Sequence, residues 1–98
     1  MVHLRFEVMP VFPFAHPEVA GAIVHCWVDT SDPMVAEARA RGWLGESGWV
    51  VVSLEASRLV HPEDDLSDAE RLHVEQARSD GGSMRFHTWP TSGEFPTA

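Results

Sequence analysis

Leu4, Phe6 and Val8 alternate with His3, Arg5 and Glu7 near the start of the chain. A period of two puts the apolar set on one side of an extended backbone and the polar set on the other. Residues 3–9 are therefore expected as a half-buried strand. Pro10, Pro13 and Pro17 then fix φ and remove backbone donors, so residues 10–19 are expected as a loop. Alternation resumes over residues 22–29, but here both rows are largely apolar. Ala22, Val24, Cys26 and Val28 form one row, and Ile23, His25 and Trp27 the other. A strand apolar on both sides belongs inside a sheet.

The alternation stops at Asp32-Pro33. Asp accepts a backbone N–H as N-cap, and Pro fits the first helical position, where no donor is needed. An alanine-rich helix is expected over residues 34–44, with Gly45 as its stop and Gly48 in the following turn. Val50, Val51 and Val52 centre a third strand over residues 49–56. An acidic loop over residues 57–66 leads to Ser67 and Glu70, spaced as a capping box, and a second helix to about residue 79. Asp80-Gly81-Gly82 ends it. Residues 84–89 alternate as a fourth strand that Pro90 closes, and residues 91–98 are expected as a frayed tail.

The order β-β-α-β-α-β over residues 1–90 predicts a single α+β domain. Two helices cover one face of a four-stranded, mainly antiparallel sheet better than two faces, so a two-layer sandwich with ferredoxin-like layering is expected, although the element order is not the standard one. The second strand, first helix and third strand form a crossover, expected to be right-handed. The most uniformly apolar rows should lie under the helices: Leu4, Phe6, Val8; Val24, Cys26, Val28; Val50, Val52, Leu54; Met84, Phe86.

The opposite face then carries His3, Arg5, Glu7, Ile23, His25, Trp27, Trp49, Val51, Ser53, Glu55, Arg85, His87 and Trp89, with three of the four tryptophans and three of the six histidines. A mixed aromatic and polar sheet face marks a binding surface. The candidate ligand or interface residues are His25, Trp27, Trp49, Arg85, His87 and Trp89, with Phe12 and Phe14 from the apolar loop that plugs the core end or covers a pocket.

Charge narrows the partners. Seven basic residues, all Arg, face fifteen acidic ones, for a formal net charge of −8 over 98 residues. Such a surface repels phosphate backbones and anionic membranes, so neither nucleic acid nor a membrane is an expected partner. No apolar run approaches the roughly 20 residues that span a bilayer. The charged opening lacks the apolar core of a secretory leader, and the single cysteine, Cys26, cannot form an intramolecular disulfide, so a cytoplasmic setting is expected. The absence of Lys, Asn and Tyr points to GC-rich coding and a bacterial source.

No segment carries a recognised catalytic signature: there is no P-loop, no G-x-G-x-x-G and no G-x-S-x-G. His25 and Cys26 are adjacent and face opposite sides of a strand, and Cys26 reads as a small core residue. His3, His25 and His87 share a face without metal-ligand spacing, so neither metal nor cofactor is expected. The acidic cluster Glu63, Asp64, Asp65, Asp68 and Glu70 is accounted for by the N-terminus of the second helix, and Glu7 and Glu55 are expected to pair with Arg5 or Arg85 across strands. The sequence thus points to a homodimeric, non-enzymatic binding module that meets a protein partner or small ligand through its Trp- and His-rich face. The alternative is a small dimeric enzyme with a His-based or metal-assisted site on that face.

Overall fold

The alternation of the first residues places a strand in the middle of the sheet. In the computed structural model, which describes residues 1–11 and 18–90, the elements are β1 (Val2–Pro10), β2 (Val19–Val28), α1 (Pro33–Glu46), β3 (Trp49–Leu59), α2 (Asp68–Asp80) and β4 (Gly82–Pro90). The strands form one antiparallel sheet in the order β3-β1-β2-β4. The α+β class, the element order and the four antiparallel strands are as expected. Residues 12–17, with Phe12 and Phe14, and the tail 91–98 lie outside the described residues. Among the described residues, no helix is long and apolar enough to cross a membrane.

Asp32 caps α1 by accepting the Met34 backbone N–H at 2.9 Å, and Pro33 follows it. Ala36, Ala40 and Leu44 recur at four-residue spacing, so they share one side of the helix and are fully buried. They pack on Leu4, Phe6, Val8, Val24, Cys26 and Val28, the rows expected beneath a helix. Fully burying a side chain such as Phe6 or Leu44 contributes about 2 kcal/mol. Sheet and α1 together make a two-layer body.

The expected placement of both helices on one face holds for α1 and not for α2. Val74 and Ala77 of α2 pack with Trp27 and Val60, and Trp27 belongs to the other row of β2. The start of β4 separates the two helices. On one side the Trp43 ring of α1 lies against Gly82, where a side chain would collide with it. On the other, the Ser83 hydroxyl meets His73 Nδ1 at 2.7 Å and donates to Gln76 Oε1 at 3.2 Å, both on α2. Trp27 presents a large apolar surface on the face away from α1, and α2 covers it. Gly81 then ends α2 at φ 90°, a left-handed conformation that costs glycine little, and β4 begins.

β3 corrects a second expectation. Its register against β1 shifts twice, skipping Glu55 and then Val52. One extra residue in a strand reverses the facing of everything beyond it. Trp49 and Val51 therefore join Leu54 in the core beneath α1, while Val50 and Val52 are exposed. The rings of Trp49 and Phe86 stack at 5.2 Å.

Candidate functional site

On the face away from α1, the register sets three cross-strand rows. His3 lies between Arg58 and Trp27, and Trp27 faces Ser83; Arg5 faces His25, which faces Arg85; Glu7 faces Ile23, which faces His87. α2 covers the first row, leaving a recess of about 170 Å³ at its edge. Its lining is His3, His25, Trp27, Arg58, Arg85 and His87 from the sheet, with Ser67 and Glu70 from the start of α2.

The inner wall is an aromatic stack. His73 of α2 lies on Trp27, ring centroids 4.5 Å apart and planes within 6°. On the strand side, His3 is 5.0 Å from Trp27 and 5.0 Å from His25, and His25 meets the edge of His87 at 6.0 Å. His3 Nε2 and His25 Nδ1 share a hydrogen bond of 2.8 Å. His3 is buried, and its Nδ1 has no hydrogen-bond partner among the described residues.

The outer wall is charged. Ser67 caps α2, accepting the Glu70 backbone N–H at 3.1 Å. The Glu70 carboxylate turns to the sheet: Oε2 accepts from Trp27 Nε1 at 3.1 Å and from the Arg58 guanidinium. One carboxylate thereby fixes the Trp27 indole, balances Arg58 and anchors the first turn of α2.

His3, His25 and His73 favour their neutral forms. Burial, and after it the positive field of Arg58, holds His3 down at about 4 from its ordinary 6.5. His25 is lowered by burial and then by Arg5, and His73 by burial and then by Arg85. Cys26, on the opposite side of β2, is fully buried, and burial pushes its thiol up to about 12. It neither reaches the recess nor forms a thiolate near neutral pH. Among the described residues, no three His, Cys, Asp or Glu side chains converge as metal ligands.

Four of the residues chosen from sequence, His25, Trp27, Arg85 and His87, line the recess together. Trp49 does not, because the β3 bulges turn it into the core. Trp89 faces Gly21 further along β4 and lies outside the lining. The pairing of Glu7 or Glu55 with Arg5 or Arg85 does not form: Glu55 accepts from Ser53 Oγ instead. Sequence reasoning missed Arg58, Ser67 and Glu70. Arg58 fell in a segment read as loop, whereas β3 runs on to Leu59 opposite Val2. Ser67 and Glu70 carried a visible signal, their capping spacing, but only the crossing of α2 over Trp27 brings them to the recess.

No known protein family, curated protein or solved structure matches the chain.

Proposed function

We propose that the chain is a binding module whose ligand is a small molecule seated in the recess beside His25. The observation that carries this reading is the convergence of His25, Trp27, Arg85 and His87 at one concave place, beside His3, whose buried Nδ1 has no hydrogen-bond partner among the described residues. Ligand sites combine an apolar or aromatic wall with a few convergent polar groups, and drug-sized ligands occupy roughly 300–1,000 Å³, so a recess of about 170 Å³ suits a smaller molecule. Thermal-shift measurement with a panel of compact carboxylates, phosphates, polyols and amines tests it, because a ligand that binds only the folded state raises the unfolding temperature. Stabilisation of the native chain that is lost in His25→Ala supports the reading. Equal stabilisation of both chains, or of neither, contradicts it.

The alternative, a His-based enzyme on the same face, has the His3–His25 hydrogen bond in its favour, since that bond would hold the His25 ring in a fixed orientation towards a substrate. A homodimer built on exposed tryptophans loses its basis, because Trp27 and Trp49 are buried within the chain. What supports a dimer is the edge strand β3, with Val50 44% and Val52 51% exposed beside backbone groups unpaired by any described strand. An edge can pair with its own copy about a two-fold axis. Twice the chain mass in sedimentation, reverting in Val52→Lys, is the outcome for that assembly.

A further inference from the structure

His25 has an arginine opposite it on each side: Arg5 on β1 and Arg85 on β4. Adjacent strands lie about 4.8 Å apart, so the two arginines start roughly 10 Å from one another on the same face. The chain has fifteen acidic residues. Even so, the side chain of neither Arg5 nor Arg85 has an ion-pair or hydrogen-bond partner among the described residues; the ion pairs there are Arg41–Glu37 and Arg58–Glu70. Glu70 answers Arg58 at the start of α2. Arg85 lines the recess, and Arg5 stands outside its lining, across His25 on the open face, so positive charge without an ion-pair partner among the described residues borders the recess on a chain of net charge −8.

The histidine pair adds a directed donor. A neutral imidazole carries one N–H and one bare nitrogen. His3 Nδ1 is buried without a partner among the described residues, and a buried orphan N–H costs more than a buried lone pair. The favoured arrangement therefore has the His3 proton on Nε2, donated to His25 Nδ1. That leaves His25 with its own proton on Nε2, as a hydrogen-bond donor.

We propose that the ligand is a compact anion bearing a carboxylate or phosphate group, held by the guanidinium groups of Arg5 and Arg85 with the His25 Nε2–H between them. The inference rests on the recess being the ligand site and adds the ligand's chemical class. Guanidinium groups suit it because their planar donors match both oxyanions, often two bonds at a time. Burial first, and then the fields of Arg5, His87 and Arg85, lower the protonation of His25, so the ring meets an anion as a neutral donor.

Calorimetry at low ionic strength, with inorganic phosphate, malonate and neutral glycerol as separate probes and amide-shift mapping alongside, tests the proposal. Phosphate or malonate should bind saturably and shift the resonances of His25 and Arg85, and the preferred probe identifies the head group. Arg85→Gln and Arg5→Gln should each weaken that binding roughly tenfold, the worth of a charge-assisted hydrogen bond. Arg39→Gln, which removes an exposed charge from α1, should leave it unchanged. Anion binding equally weakened in Arg39→Gln, or unaffected in Arg85→Gln and Arg5→Gln, overturns the proposal. Recess shifts with glycerol and none with either anion overturn the anion while leaving the recess as a ligand site. Shifts in the recess with no probe remove both.

Discussion

His3 Nε2 and His25 Nδ1 lie 2.8 Å apart, and their rings are within 12° of parallel, one on each central strand of the sheet. The register makes them diagonal neighbours, His3 opposite Trp27 and His25 opposite Arg5. This contact joins the covered end of the face, under α2, to its open part. It is the point where the buried packing under α2 and the proposed ligand site share residues.

The pair makes stability depend on pH in a definite direction. His3 is held at about 4 when folded and returns to its ordinary 6.5 when unfolded. Between those values the unfolded chain binds the extra proton, so stability is complete above about pH 6.5 and falls as the pH drops towards 4. Burial first, and then Arg58, His25 and Arg5, disfavour the protonated form, and Glu70 only partly offsets them. Denaturant midpoints at pH 4.5 and 7.5 should differ by roughly 2 kcal/mol of stability more in the native chain than in His3→Gln. An equal pH dependence in the two chains would contradict this assignment.

Cys26 should behave as an inert core thiol. It is buried in β2 between Val24 and Val28 beneath α1, and burial raises it to about 12. A disulfide reagent should modify it slowly in the native state and at once after unfolding. Native modification at the rate of a free thiol would show that the row lies on the wrong side of the sheet.

Most of the fold was legible because its signals are local. The alternation of residues 3–9, the Asp32-Pro33 start and the Ser67 cap each act within a few residues, and each forms as read. The facing of β3 was hidden because the three consecutive valines 50–52 satisfy either register; the bulges are settled by pairing with β1, which is non-local. The side taken by α2 was hidden for a related reason. Trp27 is apolar in a row that also holds His25, and the sequence does not say whether a helix or a second molecule covers it. His25, Trp27, Arg85 and His87 could be found because they fall on strands of correct phase. Arg58 and Glu70 could not, because their roles arise where the end of β3 and the first turn of α2 meet.

The N-terminus of α2 offers a separation of cap from site. Ser67→Ala should cost about 1 kcal/mol by removing the acceptor of the Glu70 N–H. Glu70→Gln retains that backbone bond and removes the charge that answers Arg58 and accepts from the Trp27 indole. It should therefore shift the Trp27 indole N–H resonance strongly, and Ser67→Ala only slightly. Similar indole shifts in the two variants would mean that Glu70 does not hold Trp27.

The recess beside His25 is the proposed place where this chain meets its ligand. Nitrogen-15 spectra of the histidine rings, recorded while phosphate and then malonate are titrated in, address it most directly, because His25, His3 and His87 line the recess and His61 does not. Saturable changes are expected at His25 and His87, a smaller change relayed to His3 through the shared hydrogen bond, and none at His61. Changes at His61 equal to those at His25, or rings that stay unmoved while an anion binds elsewhere on the chain, would contradict it.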